Sequence, residues 1–356
     1  MQEQKEKQNP LFAKPLLTCR LCDPTAAHLL DLLLERGYEV VTTVRTEDKA
    51  AKIREAHPGA KLRTAVVPDI AAADAFDAIV AQEADGLTYV QHTASPFHYG
   101  WTDARSELLD PALEGTRSIL RAVTRHAPSV RRVVVTSSFA AVLSAEALKD
   151  PAHVFSEADW NPLTYEDGLR SDKGTAYRAS KTVAERAAWD FVEKEKPAFD
   201  LVTINPPLVF GPLAHHVPNL AAVNTSNQRI VDLVTGKWRA DAEIPASGVF
   251  LFVDVRDVAR AHANALEVPD AGGKRFFVVA GHYSNRGIAD IARKHFGATA
   301  ELKDRLPDPD TPGGELPDPV YGFDNARATK VLGIEWIPFE KTVVDTINSL
   351  RALGAF

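Results

Sequence analysis

The feature that most limits how this chain can fold is a set of strands that are apolar on both faces. The segments "VRRVVVTSS" (130–138) and "LVTINPPLVFGP" (201–212) have this character, which suits a parallel sheet covered by helices on both sides. Amphipathic helices alternate with such strands. In Thr25–Arg36, alanines and leucines recur at helical spacing, and Gly37 follows where a helix commonly ends. The alternation predicts an α/β fold with a Rossmann-like, doubly wound parallel sheet.

The βαβ pattern covers about two-thirds of the chain and then loosens. Further strands are predicted in "YEVVTTVR", "KLRTAVVPDI" and "LTYVQHTA". After Gly211 proline and glycine become frequent, and Leu306–Val320 is predicted to be a long loop. Helices are still predicted in this region, at 227–235, 255–266, 284–296 and 339–353. We therefore predict a loose tail over 1–15, a dinucleotide-binding domain over 16–211, and a smaller substrate-binding lobe over 212–356 that interleaves with it.

Composition narrows the function classes. The 356 residues are 45% hydrophobic and 25% charged, with a formal net charge of -7. This balance argues against a general affinity for nucleic acid or for anionic membranes. No apolar run approaches the ~20 residues that span a bilayer. With two cysteines and a polar N-terminus that lacks an apolar export segment, we expect a cytoplasmic protein. We also expect a monomer or a homodimer.

Two segments together carry candidate acid–base chemistry. The strand "VVVTSS" ends in Ser137 and Ser138, at the sheet edge where open α/β folds bind ligands. Downstream, Tyr177 and Lys181 are four residues apart, which places them on one face of a helix. An ammonium beside a phenol favours the phenolate and lowers the tyrosine pKa. Such a tyrosine can exchange a proton with an alcohol or carbonyl oxygen, while a serine hydroxyl holds the same oxygen.

Eight stretches of the chain, in order from about Ala26 to Leu350, carry a family resemblance. They are "LLLERGYEVVTTVRTEDKA", "AVVPDIAAADAFDAIV", "HTASPF", "RRVVVTSSFAAVL", "YRASKTVAERAAWDFV", "TINPPLVFGP", "FVDVRDVARAH" and "FDNARATKVLG". The sequence resembles the extended short-chain dehydrogenase/reductases, which are NAD-dependent epimerase/dehydratase-like. It is most similar to fungal methylglyoxal and ketone reductases, with plant dihydroflavonol and cinnamoyl-CoA reductases as more distant relatives.

The resemblance implies an NADPH-dependent reductase of a small-molecule ketone or aldehyde. It implies that Ser138 polarises the carbonyl, that Tyr177 donates the proton, and that Lys181 supports Tyr177 and holds the nicotinamide ribose. Arg45, with Lys49 assisting, would meet the 2′-phosphate of NADPH, since a guanidinium suits a phosphate by charge and geometry. The other implied cofactor neighbours are Asp69, Ile70, Thr93, Ala94, Pro206, Pro207 and Leu208. Phe97, Trp101, Leu208 and Phe210 suggest an apolar or aromatic substrate, and no metal site is predicted.

The first turn departs from the family pattern. Relatives read roughly Thr-Gly-Ala-x-Gly-Phe-Ile-Ala there, whereas this chain has Arg20 and Asp23 at the two glycine positions. Side chains at these points should crowd a pyrophosphate, and Asp23 adds negative charge at a helix N-terminus. Asp23 with Pro24 also fits a helix N-cap followed by proline. Arg20 either pairs with Asp23 or contacts a displaced phosphate, and we count it among the cofactor-binding residues.

Other interpretations of this segment and of the function stay open at this point. Cys19 and Cys22 form a CxxC pair that is either a redox pair or two packing residues, and zinc is disfavoured because no further cysteine exists. A third interpretation is a gene-model error that joins an unrelated start to a normal body. Glu114, where relatives carry asparagine, either alters a proton relay or faces solvent. The alternative functions are a cofactor-independent isomerase, dehydratase or cyclase that uses the same trio, and a non-catalytic binding protein.

Overall fold

The computed structural model describes residues 15–19, 24–93, 100–214, 217 and 219–356. This part of the chain contains twelve strands and twelve α-helices. The strands are β1 Pro15–Cys19, β2 Glu39–Val44, β3 Leu62–Val66, β4 Tyr89–His92, β5 Arg132–Thr136, β6 Val154–Phe155, β7 Asp200–Asn205, β8 Leu208–Phe210, β9 Leu251–Asp254, β10 Lys274–Phe277, β11 Gly281–His282 and β12 Gly322–Phe323. The helices are α1 Pro24–Glu35, α2 Glu47–Ala56, α3 Asp77–Glu83, α4 Asp110–His126, α5 Tyr165–Arg170, α6 Lys173–Glu195, α7 Gln228–Val234, α8 Lys237–Ala240, α9 Val255–Glu267, α10 Asn285–Phe296, α11 Ala326–Leu332 and α12 Phe339–Ala352.

Seven strands form the main sheet in the order β10-β7-β5-β4-β1-β2-β3. Every neighbouring pair in this sheet is parallel, so the predicted doubly wound α/β fold is confirmed. The chain runs outward from β1 through β2 and β3, and then returns to β4 on the other side of β1. At such a switch point the carboxyl ends of the strands open into a crevice in which ligands bind.

Side chains of the central strands alternate between two hydrophobic layers. Leu16 and Val134 lie in the layer that contains α1 and α9. Their chain neighbours Leu17 and Val133 lie in the opposite layer, with α4 and the C-terminal half of α6. All four side chains are fully buried. Burial of each contributes roughly 1.5–3 kcal/mol relative to an exposed position, which explains why these strands are apolar on both faces.

The strand predicted over 201–212 is two strands in two different sheets, and that prediction is corrected here. β7 ends at Asn205 in the main sheet, and β8 begins at Leu208 in a three-stranded sheet of order β11-β9-β8. Between them stand Pro206 and Pro207. Proline has no backbone N–H to donate to a ladder, so the prolines end the pairing with the main sheet. The chain can then leave the sheet at its carboxyl edge.

The region after Gly211 supplies both a lobe of its own and parts of the main sheet. The lobe core gathers side chains from α7, α10 and α12 around the buried Trp238. In contrast, α9 packs against α1, and β10 pairs with β7 at the edge of the main sheet. The helices predicted in this region lie within two residues of α7, α9, α10 and α12. The segment 306–320 contains neither helix nor strand, in agreement with the predicted loop.

Helix α6 carries the candidate tyrosine and lysine near its start. Asp172 caps the helix, since its Oδ1 accepts hydrogen bonds from the backbone N–H groups of Gly174 (2.8 Å) and Thr175 (3.1 Å). A crossover helix runs antiparallel to the strands that it connects, so its first turns lie at the carboxyl edge of the sheet. No helix in the described segments combines the length and the apolar character needed to cross a membrane.

Candidate active site

A cavity of about 620 Å³ opens at the carboxyl edge of the main sheet. Thr93, Thr136 and Pro207, which follow or end the strands β4, β5 and β7, form one side of it. The first half of α6 and the lobe segment 222–229 form other walls. This volume falls in the range of about 300–1,000 Å³ that is typical of small-molecule sites. The cavity therefore lies where the strand order predicts a ligand.

The two serines after β5 have different surroundings. Ser137 is buried, and its hydroxyl donates a hydrogen bond to the Glu185 carboxylate. Ser138 is half-buried and lines the cavity. Its Oγ accepts a hydrogen bond from the backbone N–H of Ala140 at 3.1 Å. Because that bond uses a lone pair of the oxygen, the hydroxyl proton of Ser138 remains available to an oxygen atom in the cavity.

Tyr177 and Lys181 also line the cavity. They are one turn apart on α6, and the tyrosine is half-buried whereas the lysine is only 8% exposed. An ammonium that is largely withdrawn from water acts more strongly on its neighbours than one that is solvated. The structure therefore brings Ser138, Tyr177 and Lys181 to the wall of a single cavity, which is the arrangement that proton exchange with a bound carbonyl requires.

Thr136 is connected to a buried histidine beneath the cavity. The Nε2 amide of Gln91 donates to the backbone oxygen of His262 at 2.8 Å, so the Oε1 of Gln91 faces the histidine ring. That oxygen can only accept, so the histidine Nδ1 at 2.9 Å carries a hydrogen. Burial lowers the pKa of His262 to about 3, and its neutral Nε2 accepts from the hydroxyl of Thr136 at 3.0 Å. Thr136 thus presents lone pairs, and no proton, to the cavity.

Glu185 joins α6 to the sheet directly below the serines. Its carboxylate is fully buried and forms an ion pair with Arg275 of β10, with Nε 2.6 Å from Oε1. It also accepts from Asn205 Nδ2 at 2.6 Å and from Thr203 Oγ1 at 3.1 Å. Asn205 Nδ2 lies 3.3 Å from the backbone oxygen of Ser138. Glu185 therefore fixes the ends of β5, β7 and β10 relative to the helix that carries the tyrosine.

The sequence analysis did not single out Glu185 or His262. For Glu185 a signal existed, since Tyr177, Lys181 and Glu185 follow one another at spacing i, i+4, i+8 on one helix face. For His262 no local signal exists, because its partners Gln91 and Thr136 are more than 100 residues away in sequence. Only the topology brings these three residues together.

The predicted cofactor residues fall into two groups. Thr93, Pro206, Pro207 and Leu208 line the cavity together with the catalytic candidates. Of the remaining predicted residues that the structure describes, Arg45 and Lys49 follow β2, and Asp69 and Ile70 follow β3. Arg45 and Lys49 are exposed where β2 passes into α2, whose N-cap Thr46 accepts from the backbone N–H of Lys49 at 3.4 Å.

Asp69 and Ile70 follow β3. The exposed Asp69 accepts from the backbone N–H of Ala71 at 2.9 Å. Ile70 packs close to α4, where a Cβ on Gly115 would lie 3.2 Å from its Cδ1. Glycine at position 115 thus permits the close approach of the helix to the loop after β3.

Two of the predicted substrate-pocket residues are packed elsewhere. Trp101 lies in a hydrophobic cluster with Leu108 and Ala179, and the Nζ of Lys173 is 5.3 Å from the centre of its ring. Phe210 is fully buried in the lobe core, with its ring centre 4.9 Å from that of Tyr283. Neither side chain lines the cavity described here. Its apolar lining comes instead from residues that include Leu143, Leu208, Val209, Val223 and Val249.

Several predictions of the sequence analysis lie outside the described residues. Arg20, Cys22 and Asp23 of the first turn belong to this group, as do Ala94 and Phe97.

Glu114 is described, and its carboxylate pairs with Arg117 (2.9 Å) and Arg121 (3.3 Å). Partial burial would raise the pKa of this carboxyl, but the hydrogen bonds and charges of the two arginines hold it below its usual value. Glu114 does not line the cavity, which favours the interpretation that it belongs to the solvent-facing surface of α4.

The cavity lies at the switch point of the sheet and has a serine, a tyrosine and a lysine on its wall. This arrangement is that of a Rossmann-type protein with a candidate acid–base site. Comparison with known proteins gives the family. The model described as "NAD dependent epimerase/dehydratase family" matches residues 25–280, and the chain belongs to this family.

Individual relatives cover nearly the whole chain. The chain is 46% identical to the ketoreductase azaE of Aspergillus niger, over 91% of this chain and 94% of that protein. It is 35% identical to the NADPH-dependent methylglyoxal reductase GRE2 of Saccharomyces cerevisiae, over 91% and 94%. The crystal structure of yeast methylglyoxal/isovaleraldehyde reductase Gre2 complexed with NADPH superposes with a TM-score of 0.88 at 34% identity, covering 96% of this chain and all of that one. The resemblance to the fungal reductases is thus confirmed.

Proposed function

We propose that this protein reduces a small ketone or aldehyde to an alcohol with NADPH. The observation that carries the proposal is the common cavity of Ser138, Tyr177 and Lys181 at the sheet edge. The names of the relatives support it, since they include a ketoreductase and an NADPH-dependent methylglyoxal reductase. The predicted cytoplasmic location and the predicted monomer or homodimer remain predictions.

The residues around the cavity fit a dinucleotide phosphate. None of the described residues that line the cavity is an aspartate or a glutamate, which suits a ligand that carries several negative charges. Lys181 would hold the ribose on the nicotinamide side, and Pro207 and Leu208 would flank the nicotinamide. Thr136 offers lone pairs to a hydroxyl or amide donor of the ligand. Arg45 and Lys49 stand exposed beyond β2, where the adenosine 2′-phosphate would meet them.

The chain's own residues supply the proton chemistry. Bound NADPH would supply a hydride to the carbonyl carbon. Tyr177 gives its phenolic proton to the carbonyl oxygen, which gains negative charge as the carbon is reduced. Ser138 donates a second hydrogen bond to the same oxygen, because its own oxygen already accepts from Ala140. The ammonium of Lys181 stabilises the phenolate that remains.

The test is the change Tyr177→Phe, measured as NADPH oxidation with a panel of small ketones and aldehydes. We expect turnover to fall by at least about 100-fold, in line with the usual contribution of a general acid. The matched control is Tyr165→Phe, because the hydroxyl of Tyr165 donates to Asp110 and does not line the cavity. Circular dichroism of both variants checks that the fold is retained.

The outcomes separate this proposal from the alternative functions. Saturable NADPH binding with turnover that Tyr177→Phe removes supports a reductase. Full activity of Tyr177→Phe would remove the proposed proton donor. A protein that does not bind NADPH but converts a substrate without it would be the cofactor-independent enzyme. A protein that neither binds NADPH nor turns over any carbonyl compound would be a binding protein.

A further inference from the structure

The charged residues that line the cavity are all cationic. Among its described lining residues, the charged ones are Arg178, Lys181 and Arg229. This contrasts with the whole chain, whose formal net charge is -7. A cleft lined by charges of one sign concentrates ligands of the other sign. The proposed function uses Lys181 and leaves both arginines without a role.

Arg229 has no balancing carboxylate within the described part of the chain. It lies in the first turn of α7, half-buried, and its Nη1 donates to the backbone oxygen of Thr225 at 3.4 Å. The carboxylate nearest in sequence, Asp232, is bound by the Nζ of Lys237 at 2.9 Å. Arg229 also interacts with Tyr283: burial raises the pKa of this phenol to about 12, and the charge and hydrogen bond of the guanidinium oppose the rise. Its partners in the described part of the chain are thus a backbone oxygen and a phenol, and neither neutralises the charge of Arg229.

Arg178 lines the cavity from α6, whereas Arg229 lines it from α7. It follows Tyr177 on α6, and its Nη2 donates to Thr175 Oγ1 at 3.0 Å. Thr175 in turn donates to the carboxylate of the cap residue Asp172 at 2.7 Å. The hydroxyl of Thr175 therefore links Arg178 to a negative charge. Arg178 makes no direct ion pair with a described carboxylate. Because it has this indirect link to Asp172, its positive charge is better compensated than that of Arg229.

We propose that the substrate carries a carboxylate or phosphate group that Arg229, assisted by Arg178, binds while Ser138 and Tyr177 hold the carbonyl. A guanidinium binds either anion through two parallel hydrogen bonds. Apolar residues such as Leu143, which also line the cavity, suit an apolar portion between the two polar ends. This inference rests on the proposed reductase function and names the class of its substrate, an anionic carbonyl compound.

The experiment compares ketones that carry an anionic group with related neutral ketones, using NADPH and the intact protein. One pair is 4-acetylbenzoate and its methyl ester, and the other is dihydroxyacetone phosphate and dihydroxyacetone. We expect kcat/KM to be at least tenfold higher for the anion than for the neutral compound in at least one pair. The difference should arise in KM, and it should become smaller at high salt because salt screens the charges. The preferred pair distinguishes a carboxylate substrate from a phosphate substrate.

Variants assign the preference to the arginines. Arg229→Gln should reduce the anion preference by about tenfold, and Arg229→Lys, which keeps the charge, should restore part of it. The matched control is Arg131→Gln, because Arg131 is exposed and precedes β5 at the opposite edge of the sheet. Separate titration with NADPH verifies that the variants still bind the cofactor.

Each outcome bears on one of the two proposals. Equal kcat/KM for the charged and neutral members of both pairs would overturn the anion inference and leave the reductase function intact. An anion preference that Arg229→Gln leaves unchanged would also overturn it. If none of the four compounds nor any of the wider panel of carbonyl compounds is reduced while NADPH binds, the reductase function itself fails, and the inference fails with it.

Discussion

The guanidinium of Arg275 lies 3.7 Å from the ring centre of Trp160 while it forms an ion pair with Glu185. Its Nη1 also donates to the backbone oxygens of Glu157 (2.6 Å) and Asp159 (2.7 Å). A buried charge is costly unless ion pairing and hydrogen bonds compensate for its lost hydration. Here both are present. The ion pair joins α6 to β10, and Glu185 also contacts Ser137, which precedes Ser138 after β5. The structure therefore ties the candidate catalytic serine, Ser138, to a buried ionic cluster.

The change Glu185→Ala should strongly destabilise the protein. It leaves the Arg275 charge buried without its partner, and removal of one member of such a pair costs about 3–5 kcal/mol. Urea denaturation measures the free energy of unfolding for Glu185→Ala, Arg275→Ala and the double variant. We expect the double variant to be less destabilised than the sum of the single variants by more than about 1 kcal/mol.

An exposed ion pair provides the comparison for Glu185. Glu166 and Arg170 are 3.3 Å apart, with side chains 62% and 80% exposed. Because such surface pairs contribute about 0–1 kcal/mol, Glu166→Ala should be nearly neutral. A loss for Glu185→Ala as small as that for Glu166→Ala, or strict additivity in the cycle with Arg275, would contradict the structural role given to the buried cluster.

The sequence predicted the sheet well because its information is local. The strand around Val133 and Val134 is apolar on both faces, and only a covered parallel sheet satisfies that pattern. Helix α6 has an N-cap residue, and the spacing of Tyr177 and Lys181 is a property of any helix. In these two cases adjacent residues carry the constraint, and the prediction agrees with the structure.

The remaining features depend on contacts between distant segments. The side chains of Trp101 and Phe210 were expected in the substrate pocket because of their chemistry, yet they fill cores that their neighbours in space define. The Thr136–His262 contact joins residues 126 apart in the chain. Residue type alone does not reveal whether an aromatic ring faces a cavity or a core, since both environments reward apolar surface.

His262 should make the stability of the protein depend on pH below neutrality. Burial lowers its pKa to about 3, whereas an unfolded histidine has a pKa of about 6.5. Between these values the unfolded chain binds a proton that the folded protein does not, so the free energy of unfolding falls as the pH falls. From pH 7 to pH 5 the titration of this histidine should lower the free energy of unfolding by about 2 kcal/mol.

The variant His262→Gln isolates this contribution. It removes the titrating group, so the difference in unfolding free energy between this variant and the wild type should shrink by about 2 kcal/mol from pH 7 to pH 5. His295→Gln is the control, because His295 is exposed on α10 and contacts Glu340 at the surface. Parallel curves for His262→Gln and the wild type across this range would show that the buried histidine does not titrate as argued.

The unusual first turn leads to a prediction about cofactor affinity. Replacing Arg20 and Asp23 by glycine introduces the two small residues that the resemblance predicts there, and it removes the negative charge of Asp23, which precedes α1 in the sequence. We expect NADPH to bind at least several-fold more tightly to the double variant, as measured by calorimetric titration. An unchanged dissociation constant would mean that these side chains do not impede the pyrophosphate.

Arg45 should determine the preference for NADPH over NADH. It is exposed at the end of β2 and makes no ion pair with any carboxylate in the described segments, so its guanidinium is available to the 2′-phosphate. A charge-assisted hydrogen bond contributes about 1.5–3 kcal/mol, and Arg45→Ala should therefore weaken NADPH binding by about 10- to 100-fold. NADH lacks this phosphate, so its affinity should change little, and the ratio of the two dissociation constants is the quantity to measure. Arg54→Ala is the control, because Arg54 lies on α2, which follows Arg45 in the chain, and pairs with Glu47 at 2.6 Å. A ratio that moves equally in both variants would indicate a general charge effect of this surface, and Arg45 would then not be the residue that recognises the phosphate.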